Sequence, residues 1–378
     1  MQLSVVILNY NVRHFLRLCL ASVEKAIANL EAEIIVVDNN SRDDSCEMVR
    51  AMFPKVKLIA NTENSGFPKG NNIGVAEAKG KFICILNPDT VVAEDTFEKV
   101  LAFADAQRNL GIIGCKLIDG TGKFLPESKR GIPKPFTAFG KVTGLYKVLP
   151  SVFGRYYALH LTPDQTGEVE ILVGAFMVMK REDYLAVGGF DEDCFMYSDD
   201  IDLSYTILKS GKKNYYYADT TVVHFKGEST IRDGLYMKRF REAMNFFYKK
   251  HFRISPVFDL FMKFGAFLFS LKKRGDAKVF IPKPDRFVFV PADSEKRENV
   301  EKLLGKNFVA SSASDEKKVY SSKRERTQIW LDSGKLSFGA IIGEMQKLSS
   351  EENTFRILLE NVAIGSDSSN DRGEVLTF

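Results

Sequence analysis

The chain has 378 residues, of which 45% are hydrophobic, and its formal net charge is +4. The length is enough for two domains, the hydrophobic share is that of an ordinary globular protein, and so small a charge argues against binding polyanions over the whole surface. Five cysteines are scattered without a CxxC pair or a His/Cys cluster, so they give no zinc signal and favour a reducing compartment.

No export or membrane-spanning signal is recognisable in the sequence. The N-terminal stretch MQLSVVILNYN lacks the basic leader of a signal peptide, and its apolar run is too short for one. No stretch reaches the roughly 18–20 apolar residues that span a bilayer. We therefore expect a cytoplasmic protein.

Strands and helices are predicted to alternate over the first 107 residues. Apolar runs typical of buried strands lie at 3–8, 33–38, 56–61 and 81–89. Apolar residues recur at helical spacing within 13–30 and again within 94–107, and Ser41 has the residue type of an N-cap for a helix between them. This alternation predicts βαβ units, and therefore an α/β fold with a mostly parallel sheet.

The following segments, up to residue 230, are predicted to complete the same domain. Residues 111–170 are rich in Pro and Gly and are expected to form loops and short strands. Residues 169–182 read as a strand–turn–strand unit, and 187–211 as a glycine turn, an acidic loop and a helix. Residues 213–230 read as a strand followed by a polar loop.

Polar residues stand where the predicted parallel strands end, namely Asn9, Asp38, Asn61 and Asp89. Ligands of open α/β sheets collect at the carboxyl ends of the strands, so this edge is the expected binding site. The Asp38 carboxylate could accept a hydrogen bond from the N3–H of a pyrimidine base. An Asp before NNS could equally cap the next helix, and the sequence leaves both interpretations open.

The motif NPD at 87–89 follows the buried run FICIL. A carboxylate at this position could bind Mg²⁺ or Mn²⁺, which a diphosphate ester needs to neutralise its charge. Asn87 could then orient a ribose or a metal-bound water. The alternative is a simple turn, since Pro and Asp are both common turn residues.

The motif SDDIDL places Asp199, Asp200 and Asp202 at the start of a predicted helix. One acid there would satisfy the helix dipole, but three are more than capping needs. Neighbouring carboxylates raise one another's pKa, which suits a general base. His224, in the polar glycine loop of VVHFKGEST, could complete a metal shell, whereas His14, His160 and His251 are expected to be structural.

The composition changes after residue 230. Residues 231–275 carry eleven Lys and Arg against three Asp and Glu. Their apolar stretch suits a helix lying on a membrane surface, and the alternative is a helix packed on the preceding domain. Beyond 277, the pattern of strand, strand, helix and strand predicts a small α/β domain. We therefore expect three parts: 1–230, a basic amphipathic segment at 231–276, and 277–378.

Seven segments in order resemble glycosyltransferase family 2, with its GT-A fold, in a branch similar to the rhamnosyltransferases of bacterial polysaccharide synthesis. The resemblance covers roughly residues 3–230. Its segments are SVVILNYN, IIVVDNNS, NSGFPKGNNIG, FICILNPDT, LVGAFMVMKRE, VGGFDEDCFMYSDDIDLSY and HFKGEST.

The resemblance implies a nucleotide-diphosphate sugar as donor and assigns residues to its binding. Asp38 is implied to bind the nucleotide base, with Asn9 and Asn40 nearby. The residues implied to lie near the donor or to line the sugar or acceptor pocket are Asn71, Asn72, Gly174 and Ala175. The base would be uracil or thymine, so a UDP- or dTDP-sugar is expected.

The resemblance also assigns the chemistry. Asp89 stands where a metal-binding DxD-type motif ends, with Asn87 in place of its first Asp, and His224 is implied to approach the metal or the diphosphate. Asp200 matches the second acid of an ED motif, the implied catalytic base, and Asp199 stands where that motif usually has Glu. The expected metal is Mg²⁺ or Mn²⁺.

The expected function is therefore that of an inverting glycosyltransferase acting on a glycan hydroxyl in cell-surface polysaccharide synthesis. The acceptor is expected to be a lipid-linked oligosaccharide, met by a peripheral protein on the cytoplasmic face of the inner membrane; no nucleic-acid partner is expected. A non-catalytic nucleotide-sugar-binding scaffold would be expected to lack an essential acid, yet Asp38, Asp89 and Asp200 are all present. A nucleotidyltransferase would carry a Gly-rich signature with a Lys near the N-terminus, which this sequence lacks.

Overall fold

The computed structural model describes residues 1–133, 157–194, 198–226, 242, 245–252, 283–291, 296–311, 325–368 and 373–378. Their strands form two sheets. We call β1–β9 with α1–α6 the N-terminal unit, and β10–β15 with α7 and α8 the C-terminal unit. The domain boundaries expected from the sequence fall near residues outside this description and remain a prediction.

The N-terminal unit begins with alternating strands and helices. Its strands are β1 (Leu3–Asn9), β2 (Ala32–Asp38), β3 (Lys57–Ala60), β4 (Phe82–Leu86), β5 (Thr90–Val91), β6 (Leu110–Ile118), β7 (Gly167–Val169), β8 (Phe176–Lys180) and β9 (Lys213–His224). Its helices are α1 (Arg13–Ala26), α2 (Ser45–Met52), α3 (Gly66–Ala76), α4 (Thr96–Ala106), α5 (Arg181–Ala186) and α6 (Asp199–Lys209), with a 3₁₀ turn at Pro126–Ser128.

The strand order of this sheet is β3-β2-β1-β4-β8-β6-β9-β5, and β7 pairs with β9. Strands β3, β2, β1 and β4 are parallel, while β8 runs antiparallel between β4 and β6. Every residue of β1 and β4 is buried, because helices cover both faces of the sheet. The register pairs Asn9 with Asp38, so two of the expected polar residues lie side by side. The predicted α/β fold is confirmed.

Two local predictions were wrong. Ser41 does not cap α2, which begins at Ser45, because its hydroxyl instead accepts hydrogen bonds from the Asn9 side chain and the Asn11 backbone. Residues 111–170 were expected to form loops and short strands, but residues 111–118 form most of β6, a long buried strand. The sequence GIIGCKLI has the continuous apolar character of a strand buried on both faces, and its glycines hid that signal.

The C-terminal unit is a separate α/β sheet. Its elements are β10 (Arg286–Val290), α7 (Lys296–Leu304), β11 (Val309–Ala310), β12 (Thr327–Asp332), α8 (Phe338–Lys347), β13 (Asn353–Leu359), β14 (Val362–Ser366) and β15 (Glu374–Thr377). The strand order is β11-β10-β12-β13-β14-β15, with the first four parallel and the last two antiparallel. The sequence predicted β10, β12, α8 and β13, and missed the rest.

Part of the basic segment packs against the N-terminal unit. Residues 245–251 are helical, and Phe247 and Tyr248 are buried there in contact with Ile171 and Ile201. These residues precede the apolar stretch, residues 253–274, for which the membrane-surface helix and the packed helix were the two interpretations. Residues 253–282, the centre of the predicted membrane contact, lie outside the described residues. Within the described ranges, no helix is both long and apolar enough to cross a bilayer.

Candidate functional site

Asn9 and Asp38 form a buried polar pair at the ends of β1 and β2. The Asn9 amide donates to Asp38 Oδ1 over 2.7 Å, and the Ser41 backbone N–H donates to Asp38 Oδ2 over 2.8 Å. Asn9 Oδ1 is buried without a hydrogen-bond partner among the described residues. These bonds hold the pair in place, and Asn9 Oδ1 can still accept a hydrogen bond from a ligand. Asn40 is exposed beside it in the left-handed conformation, with φ of 63°.

Asn71 and Asn72 are neighbours on α3 but have different surroundings. The Asn71 amide bonds to the backbone one turn earlier, and its Oδ1 is buried without a partner in the described part of the chain. The Asn72 amide donates to the Phe190 carbonyl and to Glu192, and it accepts from the Tyr184 hydroxyl. Asn72 thus holds residues Phe190 and Glu192, and its predicted donor contact remains a prediction.

Asp89 and His224 lie together at the carboxyl edge of the sheet. His224 Nε2 is 3.4 Å from Asp89 Oδ1 and 3.3 Å from the Asn87 amide nitrogen. Strand β5 brings them together, because Thr90 pairs with His224 in the ladder to β9. His224 Nδ1 is buried and has no hydrogen-bond partner in the described ranges. The Asp89–His224 pair thus joins two segments more than a hundred residues apart in sequence.

The donor atoms of this pair fit a divalent cation that obtains its remaining ligands from a substrate. Among the described residues, no group of three or more His, Cys, Asp or Glu side chains is arranged to hold a metal. One carboxylate and one imidazole, close enough to contact a single ion, leave positions for phosphate oxygens and water. Mg²⁺ and Mn²⁺ both prefer carboxylate, phosphate and water oxygens, so the pair does not select between these two ions.

Asp199 and Asp200 are buried at the N-terminus of α6, and a partly buried arginine contacts the second of them. Arg130 Nη2 donates to Asp200 Oδ2 over 2.5 Å and to the Leu172 carbonyl over 2.8 Å. The Gly174 N–H donates to the same Asp200 oxygen over 3.2 Å. Both of these bonds to Asp200 reach the same carboxylate oxygen, Oδ2, and hold the side chain through it.

Asp199 has a strongly perturbed titration. Burial raises the pKa of Asp199 to about 7, and the neighbouring Asp200 carboxylate adds to the rise. Backbone N–H groups and Arg130 act in the opposite direction. Two adjacent carboxylates therefore share less than two negative charges near neutral pH.

Replacing Asp199 by Asn tests this titration through stability. Because the folded-state pKa lies above the ordinary value of 3.8, the folded protein retains a proton that the unfolded chain releases, and stability falls as pH rises from about 4 to 7. We expect Asp199→Asn to stabilise the protein at pH 8, by at most about 4 kcal/mol, and much less at pH 5. Thermal unfolding at both pH values measures it; an equal effect at both would contradict the shifted titration.

Asp202, the third acid of the motif, belongs to a different cluster. His251 Nε2 lies 2.6 Å from Asp202 Oδ1, and Lys250 Nζ donates to Asp202 Oδ2 over 2.8 Å. Lys250 also pairs with Asp191. Asp202 therefore anchors the helical segment 245–251, and His251 is structural, as expected from the sequence.

Gly174 and Ala175 connect the Asp89–His224 pair to the Asp199–Asp200 pair. The Asn87 backbone N–H donates to the Ala175 carbonyl over 3.0 Å, while Gly174 bonds to Asp200. A Cβ at Gly174 would meet only ordinary contacts at 3.5 Å, so space alone does not require glycine there. The structure thus brings most of the predicted residues to one edge of the sheet.

The sequence reasoning missed Arg130. It lies in the motif ESKRG, within a region predicted to be irregular, and nothing in its spacing points to Asp200. Only a long-range contact, across 70 positions, reveals that this cation bonds to Asp200. The basic pair Lys129–Arg130 between two Pro-containing stretches was the available signal, and it is a weak one.

Residues 4–202, more than half of the chain, match the family model described as Glycosyl transferase family 2, and the chain belongs to this family. It is therefore a glycosyltransferase, as the resemblance implied, built on the α/β sheet expected from the sequence.

Two relatives with glycosyltransferase names are similar to parts of this chain. The chain is 27% identical over 248 residues to the N-acetylglucosaminyl-diphospho-decaprenol L-rhamnosyltransferase of Mycobacterium tuberculosis, covering 61% of this chain and 78% of that protein. It is 28% identical over 132 residues to the poly(ribitol-phosphate) beta-N-acetylglucosaminyltransferase TarS of Staphylococcus aureus, covering 34% and 23% respectively. Among solved structures, a mannosyltransferase from Pyrobaculum calidifontis in complex with GDP-Man and Mn²⁺ matches with a TM-score of 0.46 and 19% identity, covering 72% of this chain and 70% of that one.

Proposed function

We propose that this glycosyltransferase moves a sugar from a UDP- or dTDP-sugar to a hydroxyl of a glycan, with inversion at the anomeric carbon. One observation carries the proposal. The Ala175 carbonyl accepts a hydrogen bond from the backbone N–H of Asn87 in NPD, and the neighbouring Gly174 N–H donates one to the Asp200 carboxylate. The proposed diphosphate site and the proposed general base therefore contact two consecutive residues of the backbone.

The donor lies along the carboxyl edge of the sheet. Asp38 accepts the N3–H of the pyrimidine base, held in place by Asn9 and the Ser41 amide. Asp89 and His224 lie at the diphosphate end and would hold the divalent cation, Mn²⁺ or Mg²⁺. When bound, that cation would neutralise the charge that develops on the leaving diphosphate.

Asp200 is the general base. With Oδ2 held by Arg130 and Gly174, Oδ1 takes the proton of the acceptor hydroxyl. The deprotonated oxygen attacks the anomeric carbon from the face opposite the diphosphate, the bond to the diphosphate breaks, and the configuration inverts. A single displacement needs no covalent nucleophile, so the residues required are those that position donor and acceptor.

The acceptor is a lipid-linked glycan at the membrane surface. Support comes from the mycobacterial relative, whose name describes an acceptor with a diphospho-decaprenol lipid. The excess of Lys and Arg in residues 231–275 would attract the chain to an anionic bilayer. Deleting 253–274 and finding an unchanged membrane-bound fraction would contradict this part of the proposal.

Product stereochemistry tests the proposed reaction. The protein is incubated with each UDP- or dTDP-sugar, Mn²⁺ and an N-acetylglucosaminyl-diphospho-polyprenol, and the anomeric configuration of the product is read by NMR. We expect the configuration opposite to that of the donor. Retention of configuration would contradict a single displacement by the acceptor oxygen.

Arg130 is expected to position the base rather than to suppress it. Arg130→Gln should lower kcat by about 10- to 100-fold with donor affinity unchanged, because the carboxylate loses its fixed orientation, and Arg130→Lys should recover part of the loss. The matched control is Lys116→Gln, since the Lys116 side chain is 13% exposed, against 11% for Arg130, and also pairs with an aspartate. A higher kcat in Arg130→Gln would show that the ion pair restrains the base.

A further inference from the structure

The two units share one hydrophobic cluster. From the N-terminal unit it contains Phe15, Val91, Val223 and Phe225, each 6% exposed or less. From the C-terminal unit it contains side chains of β10, β12, α8, β13 and β14. The C-terminal unit therefore packs against the N-terminal unit through a common hydrophobic core.

The shared cluster lies directly behind the Asp89–His224 pair. Val91 follows Asp89 by two residues, and Val223 and Phe225 flank His224. The Phe225 N–H donates to the Asp89 carbonyl over 3.0 Å, while its ring meets Phe15 edge-on with centroids 5.4 Å apart. One residue thus bonds the NPD segment through its backbone and packs in the shared core through its side chain.

A carboxylate of the N-terminal unit also caps a helix of the C-terminal unit. Glu94, five residues after Asp89, accepts from the backbone N–H groups of Phe338 and Gly339 over 2.7 and 2.9 Å. These are the first residues of α8, where a negative charge meets otherwise unpaired N–H groups and the positive end of the helix dipole. The cap ties the segment after NPD to α8.

We propose that the C-terminal unit holds the Asp89–His224 pair in the position needed to bind the diphosphate and its cation, with Glu94 and Phe225 as positioning residues. The proposal rests on the proposed function, because it assumes that this pair is the diphosphate end of the site. The Asn9–Asp38 pair is held by bonds within the first sheet. Loosening the contact between the units should therefore weaken diphosphate binding and spare nucleoside binding.

Glu94→Gln is the test variant, and Glu98→Gln, an exposed glutamate on α4, is the matched control. Calorimetry well below the unfolding temperature compares UDP and dTDP in the presence of Mn²⁺ with UMP and dTMP. We expect the diphosphates to bind about threefold to tenfold more weakly to Glu94→Gln, since the loss of a charged cap has this order of effect, and the monophosphates to bind equally. Phe225→Ala should weaken diphosphate binding further, and Phe225→Leu should recover part of it.

Hydrogen exchange supplies a readout that needs no ligand. Amides of residues 88–92 and 222–226 should exchange faster in Glu94→Gln than in the wild type or in Glu98→Gln. Unchanged exchange and unchanged Mn²⁺-dependent diphosphate affinity, with only a lower Tm, would overturn the proposal and leave the contact as a purely structural one. If the wild type itself shows no Mn²⁺-dependent diphosphate binding, the proposed function fails, and exchange in 88–92 alone decides whether the C-terminal unit holds this segment.

Discussion

Asp200→Asn is expected to lower kcat by about 10²- to 10⁴-fold, the usual contribution of a general base. Asn retains the shape of the side chain and can still accept from Arg130 and Gly174, but it cannot take a proton from the acceptor hydroxyl. Donor affinity should change little, because the variant alters a group that acts on the acceptor. Initial rates with both substrates saturating, together with calorimetric donor binding, measure the two quantities separately.

Asp202→Asn is the control for this variant, since it removes a carboxylate from the same helix. Its effect should fall on stability, because Asp202 is bonded to Lys250 and His251. Asp199→Asn should reduce kcat less than Asp200→Asn does, since burial raises the pKa of Asp199 to about 7 and leaves it partly protonated in the wild type. A kcat for Asp200→Asn close to that of the wild type would contradict the assignment of the base.

Asp89→Ala is expected to reduce kcat/KM by about 10²- to 10³-fold and to abolish its dependence on Mn²⁺. The reason is that the leaving diphosphate would lose the cation that stabilises its negative charge. Only His224 would remain at this position, and one imidazole does not hold a cation against water and buffer. Rates measured over a range of Mn²⁺ concentrations give the result directly.

The control for Asp89→Ala is Asp95→Ala, which removes an exposed carboxylate six residues away that pairs with Lys99. It should leave the Mn²⁺ dependence intact. His224→Gln should fall between the two, since it removes one donor atom and retains the carboxylate. A Mn²⁺ dependence unchanged in Asp89→Ala would show that the NPD motif is a turn without a role in binding.

Four residues of the candidate site could be placed at the edge of the sheet from local sequence alone. The positions of Asn9, Asp38 and Asp89 were predictable because parallel strands have their carboxyl ends at the same edge of a sheet. Residues that follow such strands therefore lie at that edge. His224 was predictable by its position after a strand. None of these steps requires knowledge of a distant contact, and the structure places all four residues at the same edge.

The features that sequence reasoning missed depend on contacts between distant segments. Arg130 meets Asp200 across 70 positions, and Glu94 meets Phe338 across 244 positions. Ser41 was mistaken for a helix cap because its residue type suits that role, while the actual partners of its hydroxyl, Asn9 and Asn11, lie at the end of β1 and just after it. No period or spacing along the chain encodes such partners.

The basic segment shows the same limitation. Its composition fits a membrane-surface helix and a packed helix equally well, because both need an apolar face and a charged face. Only the observed contacts of Phe247 with Tyr205, and of Lys250 with Asp202, establish that residues 245–251 pack on α6. Membrane contact by the following residues remains a prediction.

A calorimetric titration of the wild-type protein with UDP-, dTDP- and GDP-sugars, each with and without Mn²⁺, tests the proposed donor site most directly. We expect one pyrimidine nucleotide sugar to bind at least about tenfold more tightly when Mn²⁺ is present, a gain of roughly 1.4 kcal/mol. Absence of Mn²⁺-dependent binding for every donor would contradict the assignment of Asp89 and His224 to the diphosphate end of the site.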